Sequence, residues 1–295
     1  MKVEDIKTKE RIPLKKYVTF GIGGEARYLA EPRTIEEVKA LIDFAEAEGL
    51  PYFILGGGSN VLFPDEGYEG LVIRMAALSQ IEVDGEYVIA ETGVPLKRFI
   101  LVARDAALSG PEPLIGIPGE VGGSIVMNAG LREREIGELI ESVTILTYDG
   151  IIEDLPPSEL GLAYRSSKIQ DVGIIVRARF KLTPGDQEHI DQEIQRFLER
   201  RKATQPYGVK SAGCVFKNPE PDVSAGFLLD KAGLKGLRKG DAMYSDIHAN
   251  FIVNLGEARA EDVRFLIEEG KRRVYELFGY ELEEEIVLVE NPGGL

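Results

Sequence analysis

The sequence predicts an α+β chain divided among two or three domains. Three observations carry this reading. The chain has 295 residues, more than one core usually organises. Apolar strands meet at Asp84-Gly85 and again at Asp149-Gly150, both hairpin signals. Separate stretches show helical spacing bounded by caps and glycines, as from Thr34 to Gly49.

Residues 17–26 contain Gly21-x-Gly23-x-x-Ala26, which matches the dinucleotide fingerprint on paper. That fingerprint needs a helix to begin within it. Here Ala26 to Ala30 reads as a strand and Pro32 follows, so a Rossmann unit is excluded by context. Thr34 and Glu37 form a capping box, and Val38, Leu41, Ile42 and Ala45 recur on one helical face. Tyr52 to Leu55 is a short strand running into Gly56-Gly57-Gly58-Ser59-Asn60, with a further strand at Leu71 to Arg74. A strand followed by a glycine triplet forms either a hairpin-like turn or a nest whose successive amides converge on a phosphate. Two strands span Gln80 to Glu91, and Pro95 opens a helix carrying Leu96, Phe99, Ile100 and Ala103.

Gly116 to Gly130 is the stretch around which the rest is arranged, with five glycines and one proline. Ile115, Ile117, Val121, Ile125, Val126 and Met127 interleave them, which predicts a buried loop. Such a loop has amides to satisfy, and a flat polar cofactor would satisfy them. Strands follow at Val143 to Leu146 and Ile151 to Leu155, then a polar knot at Leu162 to Ser167 and a long strand from Gly173 to Leu182. Pro184-Gly185 marks a boundary. Helices are expected over Gln187 to Lys202, Ala225 to Ala232 and Ala260 to Phe278, with strands at Phe251 to Asn254 and Glu281 to Val289. The domain limits expected are 1–75, 76–184 and 185–295.

Composition excludes several classes. A net charge of −15 argues against a nucleic-acid or membrane binder. The N-terminal heptad has no apolar signal core, and no apolar run is long enough to span a bilayer. One cysteine excludes an internal disulfide and suits a reducing cytoplasm. Two histidines and that cysteine, far apart, leave no metal site to expect. A monomer is expected. Within this acidic chain, Arg196 to Lys239 holds ten Lys/Arg against four acids. A positive cleft that draws in an anionic small substrate accounts for that imbalance.

Six motifs in order resemble one family: Thr19-Phe-Gly21-Ile-Gly23-Gly24, Gly56 to Asn60, Gly116-Ile117-Pro118-Gly119 with Gly122-Gly123 and Met127-Asn128-Ala129-Gly130, Ala163-Tyr164-Arg165-Ser166, Gly213 with Phe216-Lys217-Asn218-Pro219, and His248 to Asn254. They resemble the UDP-N-acetylenolpyruvoylglucosamine reductases, flavoenzymes of peptidoglycan precursor synthesis, over residues 17 to 286. The resemblance implies a para-cresol methylhydroxylase-type FAD fold, two α+β subdomains holding FAD and a C-terminal α+β domain for substrate. It implies that NADPH reduces the flavin and that UDP-N-acetylglucosamine enolpyruvate then becomes UDP-N-acetylmuramate. The short spacing after Tyr164 resembles the subclass without an extra tyrosine-bearing loop.

By motif match, the cofactor falls to Thr19, Gly21, Gly23, Gly24, the Gly56–Asn60 run, Gly116–Gly119, Gly122, Gly123, Asn128 and Ala129. Charge developing at the enolate-like carboxyl end needs donors aimed at it, a role implied for Arg165 with Glu285 beside it and Tyr164 adjacent. Glu283 and Glu284 are neighbouring alternatives to Glu285. The proton donor, usually serine in this family, is Cys214 here. Taken alone, a lone cysteine is more often an inert small hydrophobe, but a thiol with an unperturbed pKa near ~8.5 is a far stronger acid than an aliphatic hydroxyl. Lys217, Asn218, Arg201, Lys202 and Gln205 are implied for the substrate's anionic groups. His248 is read as ordering its loop. Glu120 stands where the family usually has threonine or a small residue. Two other readings stay open, a different flavin enzyme of the same fold and a non-catalytic nucleotide binder.

Overall fold

The computed structural model describes Ile6 and residues 8–291. Most of the N-terminal heptad read for a signal core lies outside them, as do the outermost positions of the first and last expected domains. The described chain forms two compact units. The first comprises residues up to Lys9, Leu29–Gly57 and Leu71–Arg201; the second comprises Glu10–Tyr28, Gly58–Gly70 and the chain from Lys202 on.

In the first unit, α1 (Ile35–Ala47) starts where the Thr34 hydroxyl accepts from the Glu37 amide. Glu37 returns its carboxylate to Arg33 rather than to Thr34, so the capping box closes one residue early. The helix buries Val38, Leu41, Ile42 and Ala45, the four residues its spacing singled out. Tyr52–Leu55 pairs in parallel with Leu71–Arg74. A five-stranded antiparallel sheet follows, in the order Ile152–Leu155, Ile140–Thr147, Gly173–Lys181, Tyr87–Glu91 and Ile81–Asp84. Both hairpins fall where the Asp-Gly pairs placed them, with Gly85 at φ 60° and Gly150 at φ 82°. Helix α2 (Leu96–Asp105) lays Phe99 against Phe180 of the sheet, ring centroids 4.5 Å apart. The core continues through Val121, Ile125, Val143 and Ala178. Helix α4 (Gln187–Thr204) adds Ile190, Ile194 and Phe197 to it.

The stretch Gly116–Gly130 is not a continuous loop, as the glycine content suggested. Val121–Val126 forms a short helix, α3. Glycine disfavours helix by up to about 1 kcal/mol per residue. Here burial of Val121 and Ile125 in the unit's core outweighs that cost.

The second unit has a four-stranded antiparallel sheet in the order Lys210–Cys214, Phe251–Asn254, Ala242–Tyr244 and Arg238–Lys239. Helix α5 (Ala225–Lys231) is capped by Ser224, whose hydroxyl accepts from the Phe227 amide. Helix α6 (Ala260–Phe278) ends at Gly279 in the left-handed region, φ 74°. The core gathers Phe20, Ile22, Leu62, Phe216, Tyr244, Leu266 and Ile286. The expected last strand is much shorter than Glu281 to Val289. Only Val287–Leu288 pairs, in parallel with Val61–Leu62, and before it a single bridge joins Glu284 to Phe216. The partner segment runs into Asn218-Pro219, and proline has no amide with which to continue a ladder.

Candidate active site

In the first unit the glycines fall into two kinds. A Cβ at Gly57 would lie 2.9 Å from the Gly119 Cα, and one at Gly122 would collide with the Thr92 hydroxyl. These glycines let the main chain pack closely, Gly57 on main chain and Gly122 on the Thr92 side chain. Gly56 and Gly123 differ: a Cβ at Gly123 meets nothing within 4 Å, and one at Gly56 meets only the Glu120 Oε2 at 3.7 Å and the Gly123 amide at 3.9 Å. No protein atom explains the bare backbone at these two positions. Beside them the buried Glu120 Oε2 has no hydrogen-bond partner. Burial pushes the Glu120 carboxyl up to about 7, with Arg74 pulling weakly the other way. Open glycine backbone beside an unsatisfied polar atom fits a bound group rich in polar edges, as a flavin dinucleotide is.

The far end of the same stretch carries Arg165. This residue sits at φ 53°, and its guanidinium donates to the carbonyl of Gly130 at 2.7 Å and of Asn128 at 3.4 Å. Glu135 lies 3.7 Å from it, and the Tyr164 ring stacks beneath at 5.0 Å. The Asn128 side chain is spent inside the protein: its amide donates to Glu135 and the Ala163 carbonyl, and its oxygen accepts from Gly137. Ala129 likewise uses its own amide and carbonyl, with Ser124 and Ile136. Asn128 and Ala129 thus shape the turn that holds Arg165. Glu135 was not foreseen, because Arg132-Glu133-Arg134-Glu135 reads as a solvated charge run. Gly116, φ 79°, has the Arg201 side chain against it, where a Cβ would come within 2.8 Å of Cδ. Ile117 packs on the core, its amide bonded to Leu114.

In the second unit, Gly24 is pressed against the backbone of Asp65 and Gly67, and Gly23 against Phe63 at 3.0 Å. Their glycine requirement is met by packing. Gly21, φ 66°, lies under the Lys210 stem. The Thr19 amide donates to Gly58 at 2.9 Å, and its hydroxyl donates to the Ser211 carbonyl at 2.7 Å. That bond ties the turn containing Gly58, Ser59 and Asn60 to the strand ending at Cys214. The strand irregularity between Ser211 and Cys214, with Gly213 at φ 80°, leaves Cys214 half-buried. One residue on, the Val215 carbonyl accepts from the Glu285 amide at 2.7 Å, and Asn60 donates to the Glu285 carbonyl at 2.9 Å. Glu283 is paired with Lys217 and Glu284 with Lys271, each at 2.5 Å. Of the three neighbouring acids, Glu285 is the one whose peptide is pinned beside Cys214.

Several cations of the basic stretch from Arg196 to Lys239 are ion-paired. Arg196 pairs with Glu193, Arg200 with Glu133, Lys217 with Glu283, and Arg238 with Asp241. Every one of those acids lies outside the counted span, so a sequence window could not balance them. The cations also divide between the units, with Arg201 in the first and Lys202 in the second. The Lys202 ammonium lies 5.8 Å above the Tyr207 ring, and the Gln205 carbonyl accepts from the Tyr207 amide. Asn218 accepts from the Ala225 amide and so holds the entry to α5. His248 accepts from the Asn250 amide through Nδ1, and burial, then Lys235, lowers its pKa. It orders its loop. Asn250, whose role the motif did not reveal, brackets Phe216 with two bonds, accepting from its amide at 3.0 Å and donating to its carbonyl at 2.8 Å.

These features fit a flavin-binding oxidoreductase. The FAD binding domain family matches residues 26–155. The C-terminal domain family of UDP-N-acetylenolpyruvoylglucosamine reductase matches residues 205–289. Reductases of that name from Syntrophus aciditrophicus and Prochlorococcus marinus are 41% and 39% identical. They align with 95% and 96% of this chain, and with 91% and 98% of their own length. The crystal structure of the reductase from Thermus caldophilus superposes with a TM-score of 0.83 at 41% identity, covering 97% of this chain and 99% of that one. A cholesterol oxidase from B. sterolicum, 13% identical with a TM-score of 0.50 over 61% of this chain and 38% of its own, shares the fold alone. The chain belongs to the UDP-N-acetylenolpyruvoylglucosamine reductase family, with the para-cresol methylhydroxylase-type FAD fold.

Proposed function

We propose that the protein reduces UDP-N-acetylglucosamine enolpyruvate to UDP-N-acetylmuramate in the cytoplasm, as a step of peptidoglycan precursor synthesis and so of cell-wall growth and division. Among the described residues no helix is long and apolar enough to cross a membrane. The functional division we assign is 1–75 and 76–184 for cofactor and 185–295 for substrate. Gly56, Gly57, Gly119 and Gly123 would hold FAD, and the motif match adds Thr19, Gly58 and Ser59. Bound FAD, reduced by NADPH, supplies the hydride for the alkene carbon distal to the carboxylate.

What the chain's own residues add is charge stabilisation and a proton. Arg165 is fixed by two carbonyls and by Glu135, so its guanidinium is already oriented when charge develops on the substrate's carboxyl end. Glu285 orients that end as well. The Cys214 thiol gives its proton to the carbon next to the carboxylate, and the thiolate is reprotonated from solvent. The observation that carries this reading is the pinning of Cys214: Thr19 holds its strand from one side, and Val215 is bonded to Glu285 on the other. Lys217, Asn218, Arg201, Lys202 and Gln205 are assigned to the nucleotide's anionic groups.

Stopped-flow reoxidation of the reduced flavin by substrate tests the assignment. Cys214→Ser should retain substantial activity. Cys214→Ala should be reduced normally by NADPH but lose at least ~100-fold in reoxidation. Normal reoxidation in the alanine variant would remove the thiol from the mechanism.

A further inference from the structure

Glu120 has no use in the fold or in the chemistry assigned above. It precedes α3, yet its side chain makes no capping bond. Its backbone carbonyl is occupied by the Ser124 hydroxyl and amide. The residue is 93% removed from solvent, with Oε2 unpartnered and 3.7 Å from where a Cβ on Gly56 would lie; Gly123, whose amide is 3.9 Å from the same point, has open space before it. A buried carboxylate with no partner is costly, and the group answers by holding a proton.

The charged groups around it are few. Arg74 pairs across the parallel strands with Leu55, next to Gly56, and is the cation that acts on Glu120. Its guanidinium is itself engaged by Glu31 at 2.5 Å, and Glu31 is shared with Lys9 at 2.9 Å. Helix α2, which begins beside Glu120 at the Pro95 bridge, carries Lys97, exposed to solvent, and Arg98, which donates to the Ser79 carbonyl. None of these forms a salt bridge with the Glu120 carboxyl.

We infer that Glu120 acts as a neutral acid toward the cofactor, donating its carboxyl proton to an oxygen of the FAD diphosphate at the Gly56–Gly57 turn. This rests on the assignment of that turn to FAD. As an anion Glu120 would repel a diphosphate; as an acid it satisfies one of its oxygens and is satisfied in return. Cofactor binding is then coupled to proton uptake. Below about pH 7 the carboxyl already holds its proton and affinity is flat. Above it, each FAD bound must bring in a proton, so Kd rises by up to about ten-fold per pH unit. Threonine, a neutral donor at every pH, would show no such dependence.

The test uses full-length apoprotein, titrated with FAD by quenching of flavin fluorescence from pH 6 to 9, with proton uptake read by an indicator dye near pH 8. The wild type should take up about one proton per FAD and lose affinity above pH 7. Glu120→Gln, a permanent donor of the same shape, should take up none, keep a flat profile, and bind at least ~10-fold more tightly than wild type near pH 8.5. Identical profiles for the two, or no uptake by the wild type, overturn the inference while leaving the flavin assignment intact. Failure of the wild type to bind FAD at any pH would instead sink that assignment. If Glu120→Gln does not fold, proton uptake by the wild type decides alone.

Discussion

Glu120 also carries a pH signature in the absence of cofactor. Its carboxyl titrates at 4.5 when unperturbed and near 7 in the folded chain. The native state therefore keeps a proton that the unfolded chain releases, and native stability falls as pH rises from about 4.5 to 7. Below that window nothing is lost; above it the full penalty stands. Glu120→Gln should raise apoprotein stability by about 1–3 kcal/mol near pH 8 and by little near pH 4.5. Urea denaturation at the two pH values checks this, and equal shifts at both would contradict it. Asn250 is the complementary case of a polar side chain fully used. Asn250→Ala leaves both the amide and the carbonyl of buried Phe216 unpaired, and should cost roughly 2–4 kcal/mol.

At the scale of elements, the short helix α3 separates two roles that adjacent glycines cannot reveal on paper. Gly122→Ala should destabilise the apoprotein by several kcal/mol, on the order of an overpacked core, because the new methyl runs into Thr92. Gly123→Ala should leave the apoprotein as stable or up to ~1 kcal/mol more so, since alanine favours helix and the space is open, yet weaken FAD binding. Thermal melts with and without FAD separate the two. If Gly123→Ala bound FAD as the wild type does, that open space would not belong to the cofactor. Helix α5 offers a simpler test: Ser224→Ala removes the hydroxyl that accepts from Phe227 and should cost about 1 kcal/mol.

For the molecule as a whole, family membership fixes the first expectation. The purified protein should be yellow, and anaerobic NADPH should bleach it. Thiol alkylation of its one cysteine should inactivate it, and substrate should protect. Modification of Cys214 with full retention of activity would argue against its role. Neither experiment depends on how the two units are arranged.

Much of this was legible in the chain. Hairpins at Asp84-Gly85 and Asp149-Gly150, the inward face of α1 and the α6 boundaries follow from local rules, because turn chemistry and side-chain periodicity act over a few residues. Six ordered motifs were enough to point to the family. Contacts distant in sequence decided the rest. The charge count between Arg196 and Lys239 omits Glu133 and Glu283, which lie far outside it and which only folding brings to Arg200 and Lys217. Likewise the sequence marks Gly122 and Gly123 alike, and Thr92 alone makes them different. Periodicity and turn chemistry are properties of neighbours along the chain. Pairing of charges and the space before a glycine are properties of neighbours in space, which only the tertiary structure supplies.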